Sequence, residues 1–185
     1  TERLLREAVK EEYPLLLTRE RFCREFLKVL KEKRIKEMFA LMEKYDLLKF
    51  VWPGLVWNDA LLRSEDVVER TGILVCLLGS SGETFLRSLH LPKDFSQEIF
   101  GAWRVTQEKM SPLTGLSPLQ KEILRAVLPG LSPLALEPCV IRGRELKDFG
   151  LAGRKISGAL DRVRKAQWNG EVKTREEAQA LLQTI

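Results

Sequence analysis

The chain has 185 residues, 44% of them hydrophobic and 31% charged, with a formal net charge of +5. That balance supports a packed core and excludes a disordered chain, and no run of about 18 apolar residues is present to cross a membrane. Three scattered cysteines, Cys23, Cys76 and Cys139, and a lone His90 argue against a disulfide framework and a structural zinc site.

The start, from Thr1 to Glu7, has neither an initiator Met nor the apolar region of a signal peptide, so the chain is expected to be cytoplasmic and cut from something longer. Residues 1–50 carry 13 basic against 10 acidic side chains, residues 51–141 carry 8 against 10, and residues 142–185 carry 10 against 6. Both ends are therefore basic. The amino-terminal charges read as a solvated face.

Nearly every periodic segment has the helical period. Leu4, Leu5, Ala8 and Val9 open a first stripe that breaks at Tyr13-Pro14, because proline disfavours the α conformation in the residue before it. Thr18 stands at an N-cap position. Phe22, Phe26, Val29 and Leu30 form one face behind it, and Ile35, Met38, Phe39, Met42 and Tyr45 form the next, predicting a helical hairpin. The segment 47–55 ends it with Pro53-Gly54.

Val67 to Leu78 is a dense apolar run, read as a helix because about 12 residues is long for a strand. Gly79 to Gly82 is read as a turn. From Pro92, Phe95, Ile99, Trp103, Thr106 and Met110 mark one face of a long helix, and Ser117-Pro118 opens another that stops at Pro129-Gly130. Residues 131–137 read as a linker, with Pro133 inside and Pro138 behind. His90 reads as a partly buried structural residue, and the four tryptophans as core.

The last quarter carries the chemistry. Arg142, Arg144 and Lys147 precede a turn with Gly150 and Gly153, and a helix beginning near Arg154 gathers Arg154, Lys155, Arg162 and Lys165 around Gly158, opposite Ile156, Ala159, Leu160, Val163 and Ala166. A turn ending at a helix start is expected to point free amides and the positive dipole end at an anion. Gly158 is explained either by tight packing on a neighbour or by close approach of a ligand's backbone. These ten residues, Arg142, Arg144, Lys147, Gly150, Gly153, Arg154, Lys155, Gly158, Arg162 and Lys165, form the predicted set for binding RNA or DNA. Thr174-Arg175-Glu176-Glu177 matches a capping box for a final helix.

The tail from Arg142 to Leu182 resembles the carboxyl-terminal domain of bacterial class II tRNA nucleotidyltransferases, the CCA-adding enzymes. The resemblance rests on Gly143, Leu146, Gly150, Leu151, Gly153, Ile156 and Gly158, then Trp168, Gly170, Val172, Thr174, Glu176 or Glu177, and Ala178. The amino-terminal Arg19-Glu20-Arg21-Phe22-Cys23-Arg24-Glu25-Phe26 is similar to the same family's E-R-I-x-x-E-L signature, and 42–55 to the turn that follows it. Between 58 and 137 only helical character agrees.

The resemblance implies neck and body helices over 1–57, a central helical body over 58–138 with a linker at about 129–138, and a tRNA-binding tail over 139–185. The expected fold is all-α, an elongated multi-helix body followed by a small basic helical tail. It also implies tRNA, held by its T-arm and elbow, as partner, with no membrane involved. The head domain, separate or covalently attached, that would use Mg and CTP or ATP is missing. Its phosphate loop, D-x-D pair and E-D-x-x-R motif are not in this sequence, and Glu65-Asp66 is followed by Val67, Val68 and Glu69. No catalytic residue or metal ligand is assigned. The activity implied for the parent is addition of C, C and A, or part of it, to tRNA 3′ ends. Three other readings remain open: the RNA-binding part of a bacterial poly(A) polymerase, an all-α protein-interaction module, and a DNA-binding hairpin.

Overall fold

The computed structural model describes residues 2–108, 116–131, 133–148 and 150–183, and among these there are ten α-helices, several 3-10 turns and no strand. The fold is all-α. The expected extension of the long central face to Met110 lies outside the described residues.

The amino-terminal part comprises α1 (Glu2–Lys10), α2 (Arg19–Lys31), α3 (Ile35–Lys44) and the single turn α4 (Leu48–Val51). Thr18 caps α2 by accepting from the Arg21 amide, and Phe26, Leu30, Ile35, Phe39 and Tyr45 bury the predicted hairpin faces. The stripe predicted on α1 is not buried: only Val9 is, while Leu4 lies open to solvent. Leu5 and Ala8, on the same stripe, are half-buried.

The centre is α5 (Val67–Leu77), capped by Asp66, whose carboxylate accepts from the Val68 and Glu69 amides. It packs against α2, α6 (Gly82–Ser88), α7 (Lys93–Glu108) and α8 (Pro118–Val127). All residues from Arg70 to Cys76 are buried, so no polar face shows in the sequence and a helix reads like a continuous apolar run. Arg70 crosses this core and satisfies main-chain oxygens: its Nε donates to the carbonyls of Ser64 (2.7 Å) and Leu61 (3.3 Å), and its Nη1 to those of Leu30 (2.7 Å) and Glu32 (2.9 Å). Burial pushes the Cys76 thiol up to about 12.

Two local expectations change. His90 is exposed in the left-handed region (φ 51°), its Nδ1 2.9 Å from the Ser88 carbonyl. Leu89 is buried and Leu91 half-buried, so the tight turn between them throws the imidazole outward. Phe95 is 43% exposed, because the buried face of α7 runs through Ile99 and Ala102.

The tail holds a second core of Ile141, Leu146, Ala159, Val163, Ala166, Val172, Ala178 and Leu182. It is built by α9 (Arg154–Trp168) and α10 (Arg175–Gln183). The Glu177 amide donates to Thr174 Oγ1 and the Thr174 amide donates to Glu177 Oε2, each at 3.2 Å, which is the predicted capping box. The segment read as a linker carries a 3-10 turn (Pro133–Leu136) with Ala135 and Leu136 buried. Leu136 belongs to the main core. Trp168 of α9 also packs against that core.

Candidate nucleic-acid interface

Why α9 presents a positive face follows from its sequence, RKISGALDRVRKAQW. At about 100° per residue, Arg154, Lys155, Gly158, Arg162 and Lys165 fall on one side, and all five are exposed, while Ala159, Val163 and Ala166 are buried and Ile156 and Leu160 partly so. From Arg154 to Lys165 the face is about 16 Å long at 1.5 Å per residue. Asp161, exposed at its edge, is the only acidic residue of α9.

A short 3-10 turn, Glu145–Lys147, adds to this surface. Leu146 is buried in the tail core, and Glu145 fixes the turn by accepting from the Arg142 amide (3.1 Å) and standing 3.4 Å from the Arg175 guanidinium. Arg142, Arg144 and Lys147 are left exposed. Gly143 meets the apolar side of α9: a Cβ there would lie 3.4 Å from Ile156 Cγ2.

Among the described residues, none of the seven side chains Arg142, Arg144, Lys147, Arg154, Lys155, Arg162 and Lys165 is in an ion pair. Elsewhere the chain pairs many of its cations with its own carboxylates, as with Arg6 and Lys44 on Glu2, Arg24 on Glu20, Lys28 on Glu25 and Arg87 on Glu83. The tail cations thus keep their charge available to an outside anion.

The loop before α9 does less than its sequence promises. Gly150 (φ 74°) and Gly153 (φ 54°) both occupy the left-handed region, where glycine is needed. The tight turn that they make consumes its own donors: the amides of Gly150, Leu151, Lys155 and Ile156 donate to the carbonyls of Lys147, Leu146, Ala152 and Gly153. Those four amides are not free to meet an anion as expected. The attraction falls to the side chains and to the helix dipole.

Two polar residues of α9 that sequence reasoning passed over are buried. Arg164 Nη1 donates to the Glu137 carbonyl at 2.6 Å, and burial lowers its pKa. Gln167 accepts from the Val140 amide and donates to the carbonyls of Glu137 and Pro138. They tie the 131–138 segment to α9. Only their angle on the helix, away from the exposed cations, signals this in the sequence.

In the amino-terminal part, Arg21, Lys31 and Lys33 are exposed and in no ion pair among the described residues. Arg21, Arg24, Lys28 and Lys31 recur at helical spacing along α2. In sequence this row reads as solvated charge alone, since paired and unpaired cations look alike there.

Among the described residues, no three His, Cys, Asp or Glu side chains come together as a metal site. The groups present do not fit a divalent-metal centre, and no step is assigned to one. No helix among the described residues is long and apolar enough to cross a membrane.

No curated protein and no solved structure matches the chain. One family model does, described as the probable RNA and SrmB-binding site of polymerase A, over residues 2–57, the stretch that holds α1 to α4. That match supports a relation to the poly(A) polymerase and CCA-adding family.

Proposed function

We propose that this chain is the RNA-holding portion of a tRNA nucleotidyltransferase, and that the exposed cations of α9 and of the turn before it grip the T-arm and elbow of tRNA. The observation that carries the reading is the set of seven exposed Arg and Lys side chains, none in an ion pair among the described residues, on one small, well-anchored helical tail. The match of residues 2–57 to a polymerase A RNA-binding segment supports RNA as the ligand.

A double-stranded RNA stem displays phosphates and 2′-hydroxyls in place of a readable major groove, so cations on a rigid helix recognise it by shape. Holding the elbow lets a head domain outside this sequence, with its Mg and CTP or ATP, find the 3′ end at a fixed distance. That domain would add C, C and A, or part of that sequence.

Replacing Arg154, Lys155 and Arg162 together by Ala should weaken binding of a tRNA minihelix. Each lost phosphate contact removes about 0.7 to 0.9 from the slope of log affinity against log salt, so the triple variant should be shallower by about 2 to 3. Equal affinity and slope for both proteins would end the proposal.

The family matched by residues 2–57, a polymerase A RNA-binding site, favours a second reading, the RNA-binding part of a poly(A) polymerase. Competition between tRNA and oligo(A) for the wild-type chain separates the two. Failure to retain either RNA would instead favour a protein-interaction module.

A further inference from the structure

Among the described residues, four glycines lie within α-helices, and three of them are explained by packing. A Cβ on Gly72 would stand 2.3 Å from Ile123 Cδ1, one on Gly82 2.1 Å from the Val75 carbonyl, and one on Gly101 2.3 Å from Gln120 Nε2. Gly158 is different. It has ordinary helical backbone inside α9, it is exposed, and a Cβ there would meet nothing within 4 Å. Neither backbone conformation nor a protein neighbour calls for glycine, although glycine is the poorest helix former after proline.

What the missing side chain uncovers follows from helix geometry. Cα–Cβ bonds tilt toward the N-terminus, so a helical side chain covers the turn before its own Cα. Gly158 therefore leaves bare the main-chain carbonyls of Arg154 and Lys155. Those oxygens accept within the helix and keep a second lone pair for an outside donor. Cations flank the notch, Arg154 and Lys155 about one turn before Gly158 and Arg162 about one turn after it, so that the two groups stand about 11 Å apart along the axis.

A phosphate at the floor of the notch would face carbonyl oxygens and be repelled. A hydroxyl would be welcome. We infer that the notch over Gly158 receives a ribose, its 2′-hydroxyl donating to a bared main-chain carbonyl of α9, while the neighbouring Arg and Lys hold the adjoining phosphates. The inference rests on the RNA-binding reading above and adds the chemistry by which this face tells RNA from DNA.

The test compares the wild-type chain with Gly158→Ala on an RNA hairpin and on the DNA hairpin of the same sequence, at three salt concentrations. Gly158→Ala should bind the RNA about tenfold more weakly, the loss of one hydrogen bond and a close approach. Its affinity for the DNA and its salt slope should not change. Unchanged RNA affinity, or an equal loss on both hairpins, overturns the inference while leaving the RNA-binding reading intact. A wild-type chain that binds neither hairpin removes both.

Because alanine favours the helix, the variant should melt no lower than the wild type. A series of RNA hairpins each lacking one 2′-hydroxyl, measured on the wild-type chain, asks the same question without mutation: one position should reproduce the loss, and a flat series counts against the notch.

Discussion

Arg70 shows how one residue can hold three elements together. Its guanidinium spans the end of α2, the 59–63 turn and α5, and all four acceptors that it reaches are main-chain carbonyls. Leaving a buried carbonyl without a donor costs about 1–3 kcal/mol. Arg70→Ala should therefore lower the unfolding free energy by at least about 3 kcal/mol in urea titration, and Arg70→Lys should recover little, because an ammonium lacks the planar fork. A loss below about 1 kcal/mol for Ala would mean that water replaces the guanidinium at no cost. In sequence Arg70 is one charge beside an apolar run, and nothing distinguishes it from a surface arginine. Arg164 is the same case in the tail, adjacent in sequence to exposed cations yet buried on the Glu137 carbonyl.

At the scale of elements, the fit of α5, α6, α7 and α8 depends on glycines that let helices approach. Gly72 faces the end of the Ile123 side chain, which can rotate aside, whereas Gly82 faces the Val75 carbonyl, which belongs to the backbone of α5 and cannot. Overpacking a close-packed core costs about 1–3 kcal/mol. Gly72→Ala should fall in that range and Gly82→Ala above it, as read from denaturant midpoints at equal slope. The reverse order would show that α6 shifts more easily than a core isoleucine. The amphipathic helices α2, α8 and α10 were legible, since Thr18, Ser117 and Thr174 stand at their starts and make the side-chain bonds of caps. The short α6 was not. Seven residues with two apolar ones at its centre, Phe85 and Leu86, give no period to read.

Across the whole molecule, two apolar cores are stitched together at the 131–138 segment. Leu136 and Trp168 reach the main core, while Arg164 and Gln167 bind the carbonyls of that segment from α9. Trp168→Ala removes the larger of the two apolar side chains of this seam. Hydrogen exchange should then speed up in α9 and α10 while α5 amides keep their protection. Equal acceleration in α5 would show that the two cores open as one cooperative unit. The exposed ion pairs of α1 to α4 contribute little by comparison, since surface pairs are worth about 0–1 kcal/mol each.

The sequence by itself determined the all-α class, most helix starts, the two-sided character of α9 and the basic sign of the tail, because caps, period and charge are local properties. Only the tertiary structure decided which cations are exposed and unpaired, that the amides of the 150–156 turn are largely consumed within the chain, and that Gly158 faces open space. Each of those depends on what lies opposite a residue, and that is set by packing between segments far apart in the chain.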